Sequence, residues 1–550
     1  MKKLKKYLIL SISIFLLTSF VTNYFEISKN LEIFNNIYRE INSYYVDPVD
    51  PGELMHSTID TMLKRLDPYT KYIPESEVED FRFQTTGEYG GIGSTIRKID
   101  KNVVIYEPYK NFPADKAGLK MGDVLIEIEG EEINDASVQD VSNLLKGTPG
   151  TSVSVKVLRK ENLTKNINII REKIQVPSVP YSGILRDDIG YVKLKRFTKN
   201  CSKEVEEAIN KLIKKQNLKG LIIDLRSNPG GLLNESIRMS NLFINKNETV
   251  VTTSGKNVEW EKTYTTKQEP KYPEIPIVIL VNESSASASE IVAGAIQDLD
   301  RGVIIGNKTF GKGLVQQSRN LSYNSRLKVT VAKYYTPSGR CIQDLIKTQN
   351  YNSYLDIDTS NQTDSLRNKF FTKNGREVYD GGGIDPDIKV KRNEFPEILW
   401  PLLRDNYIFK FGNNVNYNLT ENQVNEFNLP DSIYNQFTNY LEEVGFNFTA
   451  NNEFIIENIE QEINELSDID FNLEGIQIEL ETLKEQIQIN KKKDIQKYKS
   501  EISKQLSEHL ITRYFYEAGR IEYQLEGDPY VDKALMILSN ADEYANILAP

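Results

Sequence analysis

Four serines crowd one stretch of this chain. In VNESSASASEIVAGAIQD, residues 281–298, Ser284, Ser285, Ser287 and Ser289 follow the apolar run IPIVILV and precede a helix-like segment. A serine on a strand-to-helix turn is suited to nucleophilic attack, yet its hydroxyl is weak until a neighbouring base takes its proton. The usual base is scarce. The 550 residues contain two histidines, His56 and His509, one in each terminal helical region and both remote from the serines. A Ser-His-Asp triad would need a far segment folded over the core, so a lysine base is the alternative.

Lys312 is suited to that role. TFGKGLVQQ reads as a strand entered through glycines. Side chains at i, i+2 and i+4 share one strand face, which predicts that Lys312, Leu314 and Gln316 point the same way. An amine acts as a base only if its pKa falls from ~10.4 toward neutrality, and burial beside apolar groups does that. A glutamine can hold the amine by a hydrogen bond without adding charge, whereas a carboxylate would raise the pKa. Taken alone, the segment reads as well as a solvated strand lysine.

The elements that must carry these residues are legible from patterning. Composition is globular, with 39% apolar and 27% charged residues, and the length suits three or four domains. The net charge of −10 and the lack of a broad basic stretch exclude a nucleic-acid partner; KKK at 491–493 reads as a solvated helix face. Cys201 and Cys341 form neither a disulfide framework nor a CxxC zinc pattern. Residues 1–25 carry four lysines and then an apolar run from Tyr7 to about Val21, which predicts a signal peptide or membrane anchor. No A-x-A-like cleavage site follows, which favours an uncleaved anchor, and the positive flank places the remainder outside the cytoplasm.

Residues 26–86 read as helices interrupted by DPVDPGE. A small domain follows over 87–172: a glycine-rich turn, alternating strands, and a helix with Val138, Val141 and Leu145 on one face. Over 173–395 buried strands alternate with helices, a layered α/β pattern; one helix is expected to be N-capped by Ser202. Residues 396–550 show apolar repeats such as Ile456, Ile459, Ile463 and Leu466, predicting helices that pack on each other or on the core.

Several separated motifs carry a resemblance. SASASEIVAGAIQD, TFGKGLVQ, YYTPSGRCIQ, LIIDLRSNPGG and GGIDPDI together resemble the C-terminal processing peptidases, or tail-specific proteases. LDPYTKYIPESEVEDF and EYGGIGSTI resemble that family's entry into its PDZ domain. The resemblance covers residues 30–395. It implies a layered, crotonase-like α/β protease core with an inserted PDZ domain, between an N-terminal helical region and a C-terminal helical extension. It also implies Ser287 as nucleophile, Lys312 as base, Gln316 as its partner and Asp298 as an auxiliary acid, with Ser285 and Ser289 left as turn or capping residues.

An oxyanion on that nucleophile needs N–H donors. Ala288 at a helix start is one, and Gly231 or Gly230 of NPGG is the other. In the PDZ-like part, Gly91, Ile92 and Gly93 would form a carboxylate-binding loop, beside a pocket lined by Val138, Val141 and Leu145. The expected protein is an extracytoplasmic, membrane-anchored serine endopeptidase acting on proteins or peptides with free C-terminal tails. No metal or cofactor is implied, and the oligomeric state is open. A non-proteolytic PDZ adaptor and a crotonase-like acyl-CoA enzyme are the rivals. Labelling by a serine-directed acylating reagent tests the first, and thioester turnover the second.

Overall fold

The computed structural model describes residues 24–159, 163–344, 367–391, 395–417, 419, 424, 427–465 and 473–550. The expected anchor run and Leu466 lie outside them. Among the described residues no helix is long and apolar enough to cross a membrane.

Residues 24–44 are helical and largely exposed. Helix α1, Pro51–Lys64, starts at Asp50, whose carboxylate accepts from Glu53 N–H. A short strand β1, Lys71–Ile73, and helix α2, Glu75–Thr86, lead to the inserted PDZ domain. Gly87 ends α2 at φ 72, a left-handed cap that a residue without Cβ adopts freely.

The insert is tied at its neck. Strand β2, Glu88–Gly91, on the way in, pairs antiparallel with β8, Glu172–Gln175, on the way out. Between them β3 (Ser94–Ile99), β4 (Asn102–Pro108), β5 (Val124–Ile128), β6 (Ser152–Arg159) and β7 (Leu163–Ile170) form an antiparallel sheet in that order, with α3 (Val138–Leu145) after β5. The alternation SVSVKVLR works as period two requires: Val153, Val155 and Val157 are all buried.

The layered α/β core holds a six-stranded sheet: β9 (Tyr181–Ile184), β10 (Ile189–Lys193), β11 (Gly220–Asp224), then β14 (Ile277–Val281), β15 (Val303–Gly306) and β18 (Ile388–Lys389). All neighbours are parallel except β9 with β10. Every residue of β11, β14 and β15 is buried, as unbroken apolar strands covered on both faces should be. Helices α4 (Cys201–Lys215), α5 (Leu233–Ser240) and α6 (Ala288–Asp298) cover one face. The cap of α4 is Asn200 at φ 68 and not Ser202; the Ser202 hydroxyl is drawn 2.6 Å from buried Glu235 instead.

A second sheet crosses the site. β12 (Thr249–Gly255), β13 (Lys262–Thr265), β16 (Leu314–Asn320) and β17 (Arg326–Tyr335) pair antiparallel, and β1 joins β17 from the far side of the PDZ insertion. The segment before the insert is thereby part of the core.

Helices α7 (Leu399–Arg404), α8 (Tyr407–Asn414), α9 (Asp431–Glu443), α10 (Asn451–Glu465), α11 (Leu473–Lys497), α12 (Lys499–Gln524), α13 (Pro529–Leu538) and α14 (Ala541–Leu548) make up the C-terminal extension. They pack on each other around Phe411, Tyr434 and Phe437. Residues of α12 and α13, such as Ile521 and Val531, cover the second face of the parallel sheet. The extension also grips the PDZ domain: Phe409 stacks on Tyr106 at 5.1 Å, and Tyr516 Oη donates to Asp115 at 2.6 Å.

Candidate active site

The turn between β14 and α6 sorts its own serines. Ser285 and Ser289 are fully buried, and their hydroxyls donate to Leu225 O at 2.8 Å and to Asn228 O at 2.9 Å. Ser284 is exposed. Ser287 is half-buried and sits at the N-terminus of α6 with φ 57 and ψ −112. That backbone region is costly for a residue with a Cβ, and such strain gathers where a side chain must be presented. Two bonds hold it there: Ser287 N–H donates to Glu290 Oε2 at 2.7 Å, and its carbonyl accepts from Tyr334 Oη at 3.1 Å.

Glu290 is the residue that sequence reading missed. Its carboxylate is fully buried and takes four donors: Ser287 N–H, Lys312 N–H at 2.9 Å, Gly311 N–H at 2.7 Å and Thr309 Oγ1 at 2.6 Å. Burial pushes its pKa up, and these hydrogen bonds oppose the rise. The S-x-x-E spacing from Ser287 is a capping-box signature and was the available signal.

Lys312 reaches the same place by a different route than expected. It precedes β16, which begins at Leu314, and the register shifts between Val315 and Gln316. Lys312 thus stands in a glycine-flanked loop ahead of the strand and not within it, whereas Leu314 and Gln316 keep their alternation in β16, because the extra residue of the bulge, Val331, is on β17. Gln316 Nε2 donates to Thr330 Oγ1 at 3.4 Å rather than to the amine. Lys312 Nζ lies 4.6 Å from the centroid of the Tyr69 ring, and among the described residues no hydrogen bond joins it to Ser287 Oγ.

The amine has the depressed basicity the role requires, at about 8. Burial is the main cause and the Lys328 charge the next; Lys71 adds to them, while Glu290 and Asp67 oppose. Lys71 and Lys328 stand directly opposite each other in the β1–β17 register. Like charges so placed destabilise a sheet, and here both lower the proton affinity of Lys312.

The oxyanion candidates separate as well. Gly230 is buried and its N–H is taken by Asn228 Oδ1 at 2.9 Å. Gly231 is exposed, and among the described residues neither its N–H nor that of Ala288 has a hydrogen-bond acceptor. A Cβ on Gly230 would stand 2.8 Å from Ala288 N, so glycine there permits the close approach of the two loops.

Asp298 belongs elsewhere. It lies at the far end of α6, about 16 Å along the helix axis from Ser287. Its oxygens are held by buried Arg340 at 2.7 Å and by Ser338 N–H at 3.0 Å. The expected auxiliary acid is thus one half of a buried ion pair. The histidines stay away too: His56 faces Asp60, and His509 is buried in the helical extension with its pKa pushed down to about 3 by burial.

In the PDZ domain a groove of about 280 Å³ runs between β3 and α3. Val138, Leu145 and Ile92 line it, whereas Val141 is corrected. Its side chain is fully buried in the domain core and does not line the groove, where Ser142 takes its place. On a helix, position i+3 and position i+4 fall on opposite sides of i, and the groove follows the second. Gly91 ends β2, and Gly93 turns the loop at φ 76.

Comparison with known proteins finds family matches in three regions of the chain. Residues 188–352 match peptidase family S41, residues 104–159 a PDZ domain, and residues 398–538 the C-terminal helical domain of a probable PDZ-protease. The chain is 36% identical over 321 residues to a carboxy-terminal-processing protease of Bartonella bacilliformis, covering 58% of this chain and 73% of that one. It is 32% identical over 427 residues to a probable CtpA-like serine protease of Staphylococcus epidermidis, covering 75% and 86%. The corresponding Staphylococcus haemolyticus protein is 38% identical over 307 residues, covering 56% and 61%. Among solved structures, the photosystem II D1 C-terminal processing protease is similar at 27% identity and a TM-score of 0.34, over 66% of this chain and 93% of that one.

Proposed function

This chain belongs to the carboxy-terminal processing peptidases of family S41 and is a PDZ-containing serine protease; on that footing we propose that it cleaves peptide bonds through a Ser287–Lys312 dyad and chooses substrates by their free C-terminal tails. The observation that carries the dyad is the shared acceptor: Glu290 anchors the backbone of both residues at once.

In this reading neutral Lys312 takes the proton from Ser287 Oγ as that oxygen attacks the carbonyl carbon. The N–H groups of Ala288 and Gly231 hold the oxyanion. The Lys312 ammonium then gives its proton to the departing amine, leaving an acyl-enzyme. Water, deprotonated by the same lysine, attacks the acyl carbon; the acyl C–Oγ bond breaks, and the lysine returns that proton to Ser287 Oγ. The amine over Tyr69 represents a resting position, and catalytic hydrogen bonds commonly tighten only once substrate is bound.

The PDZ groove would add the tail as a strand beside β3, with its carboxylate at the Gly91–Gly93 loop. The basic and apolar N-terminus supports action outside the cytoplasm from a membrane anchor. No observation favours the adaptor or the acyl-CoA reading. The test compares wild type with Ser287→Ala on a peptide with a free apolar C-terminus and on its C-terminal amide. Cleavage should require Ser287 and should slow on the amide; equal rates on the two tails would remove tail reading.

A further inference from the structure

Lys146 closes α3 and lies against the glycine loop of the PDZ groove. Gly147 N–H donates to Gly90 O at 3.1 Å, and a Cβ on Gly91 would stand 3.7 Å from Lys146 Cα. The lysine therefore sits at the end of the groove where a tail's last carboxylate would come to rest, next to Leu145 in its apolar pocket. In this structure its ammonium already has a carboxylate. Asp80 Oδ1 pairs with Lys146 Nζ, and Asp80 Oδ2 accepts from Gln139 Nε2 at 3.1 Å.

Asp80 comes from α2, which precedes the domain and lies outside its sheet. One turn further, Phe83 of α2 meets Tyr89 edge-on at 5.1 Å. Asp80, Phe83, Tyr89 and Lys146 line the same cavity as Ile92 and Ser94. The pair is open to water, with about a third of each side chain exposed: 28% for Lys146 and 34% for Asp80. Ion pairs with that exposure are weak and exchange readily.

We propose that Lys146 receives the C-terminal carboxylate of the substrate and that Asp80 is an internal competitor for the same ammonium. The inference rests on the tail-reading function proposed above. Tail binding then exchanges one carboxylate for another: Lys146 stays paired, and Asp80 is released to solvent. An amide-ended tail brings no charge to take Asp80's place and meets an occupied lysine. Asp80 also repels an incoming anion, so it raises the threshold that a free-acid tail must pass and leaves an amide tail unaffected.

The test uses the full chain in a Ser287→Ala background, so that bound peptide is not cleaved. A fluorescent decapeptide with an apolar last residue is titrated as free acid and as amide, read by anisotropy. Asp80→Asn should tighten the free acid by ~2–5-fold, the range of a partly exposed ion pair, and leave the amide unchanged. Lys146→Met should abolish the acid preference, Lys146→Arg should retain it, and Asp80→Asn should have no effect once Lys146 is Met. Retention of the Arg variant's preference guards against a folding artefact. Unchanged or weaker acid binding in Asp80→Asn would overturn the competitor role. Undiminished acid preference in Lys146→Met would overturn the receptor role while leaving tail reading intact on the N–H loop. If the parent protein binds acid and amide alike, tail reading itself falls, and this inference with it.

Discussion

The backbone N–H groups of Ser287 and Lys312 converge on one oxygen, Glu290 Oε2, at 2.7 and 2.9 Å. A single buried carboxylate thus sets the distance between the chain segments that carry the nucleophile and the base. The remaining Glu290 oxygen holds Thr309 and Gly311, which lead into the loop of Lys312.

Glu290→Gln should therefore damage catalysis without touching substrate. Four donors point at the carboxylate, and an amide nitrogen would turn one pair of them into donor facing donor. We expect a loss of ~10²-fold in kcat, comparable to misplacing a reacting group by an ångström, with KM little changed. Stability should fall by about 1–3 kcal/mol for the unsatisfied groups. Steady-state kinetics and a thermal melt measure the two effects; a kcat within threefold of wild type would refute the anchoring role.

The serines should separate cleanly. Ser287→Ala should abolish hydrolysis and leave the melting temperature nearly unaltered. Ser285→Ala and Ser289→Ala should keep activity and lose about 1 kcal/mol, because each removes one buried hydrogen bond, while Leu225 O keeps the Asn228 N–H and Asn228 O keeps the Ala286 N–H. Covalent labelling by a fluorophosphonate, followed by peptide mapping, identifies the reacting hydroxyl directly.

The pH profile should report Lys312. Only the unprotonated amine accepts a proton, so kcat/KM should rise with pH through about 8. Lys328 lowers the proton affinity of Lys312, so Lys328→Met should move this limb to higher pH, by about half a unit for a partly screened charge. Lys328→Arg should leave it in place. Lys312→Arg should be as damaging as Lys312→Ala, since a guanidinium does not release its proton in this range. A limb that stays put in Lys328→Met would remove the lysine pair from the electrostatics of the site.

Asp298→Asn should act on stability. It leaves Arg340, which is fully buried, without its charge partner, and breaking one side of a buried pair costs about 3–5 kcal/mol. The melting temperature should drop markedly, while the protein that remains folded at low temperature should keep its pH limb and its kcat. A loss of kcat in fully folded protein would restore Asp298 as an auxiliary acid.

Local chemistry decided much of this protein in advance. Strand–turn–helix patterning places Ser287 on a presented turn, and two remote histidines direct attention to a lysine. Unbroken apolar strands require a sheet covered on both faces, and glycine spacing marks both loops. These features depend on neighbours a few residues apart, so periodicity and turn chemistry reveal them. Tertiary structure alone decided which groups meet. Thr70 reaches Thr330 across 260 residues because β1 pairs with β17 over the PDZ insertion. That register brings Tyr69, Lys71 and Lys328 around Lys312. A glycine-flanked loop kept Lys312 out of β16, the rotation of α3 put Ser142 rather than Val141 in the groove, and Arg340 claimed Asp298. Each outcome depends on which surfaces pack together and in what register, and local sequence does not encode the partner's side of that contact.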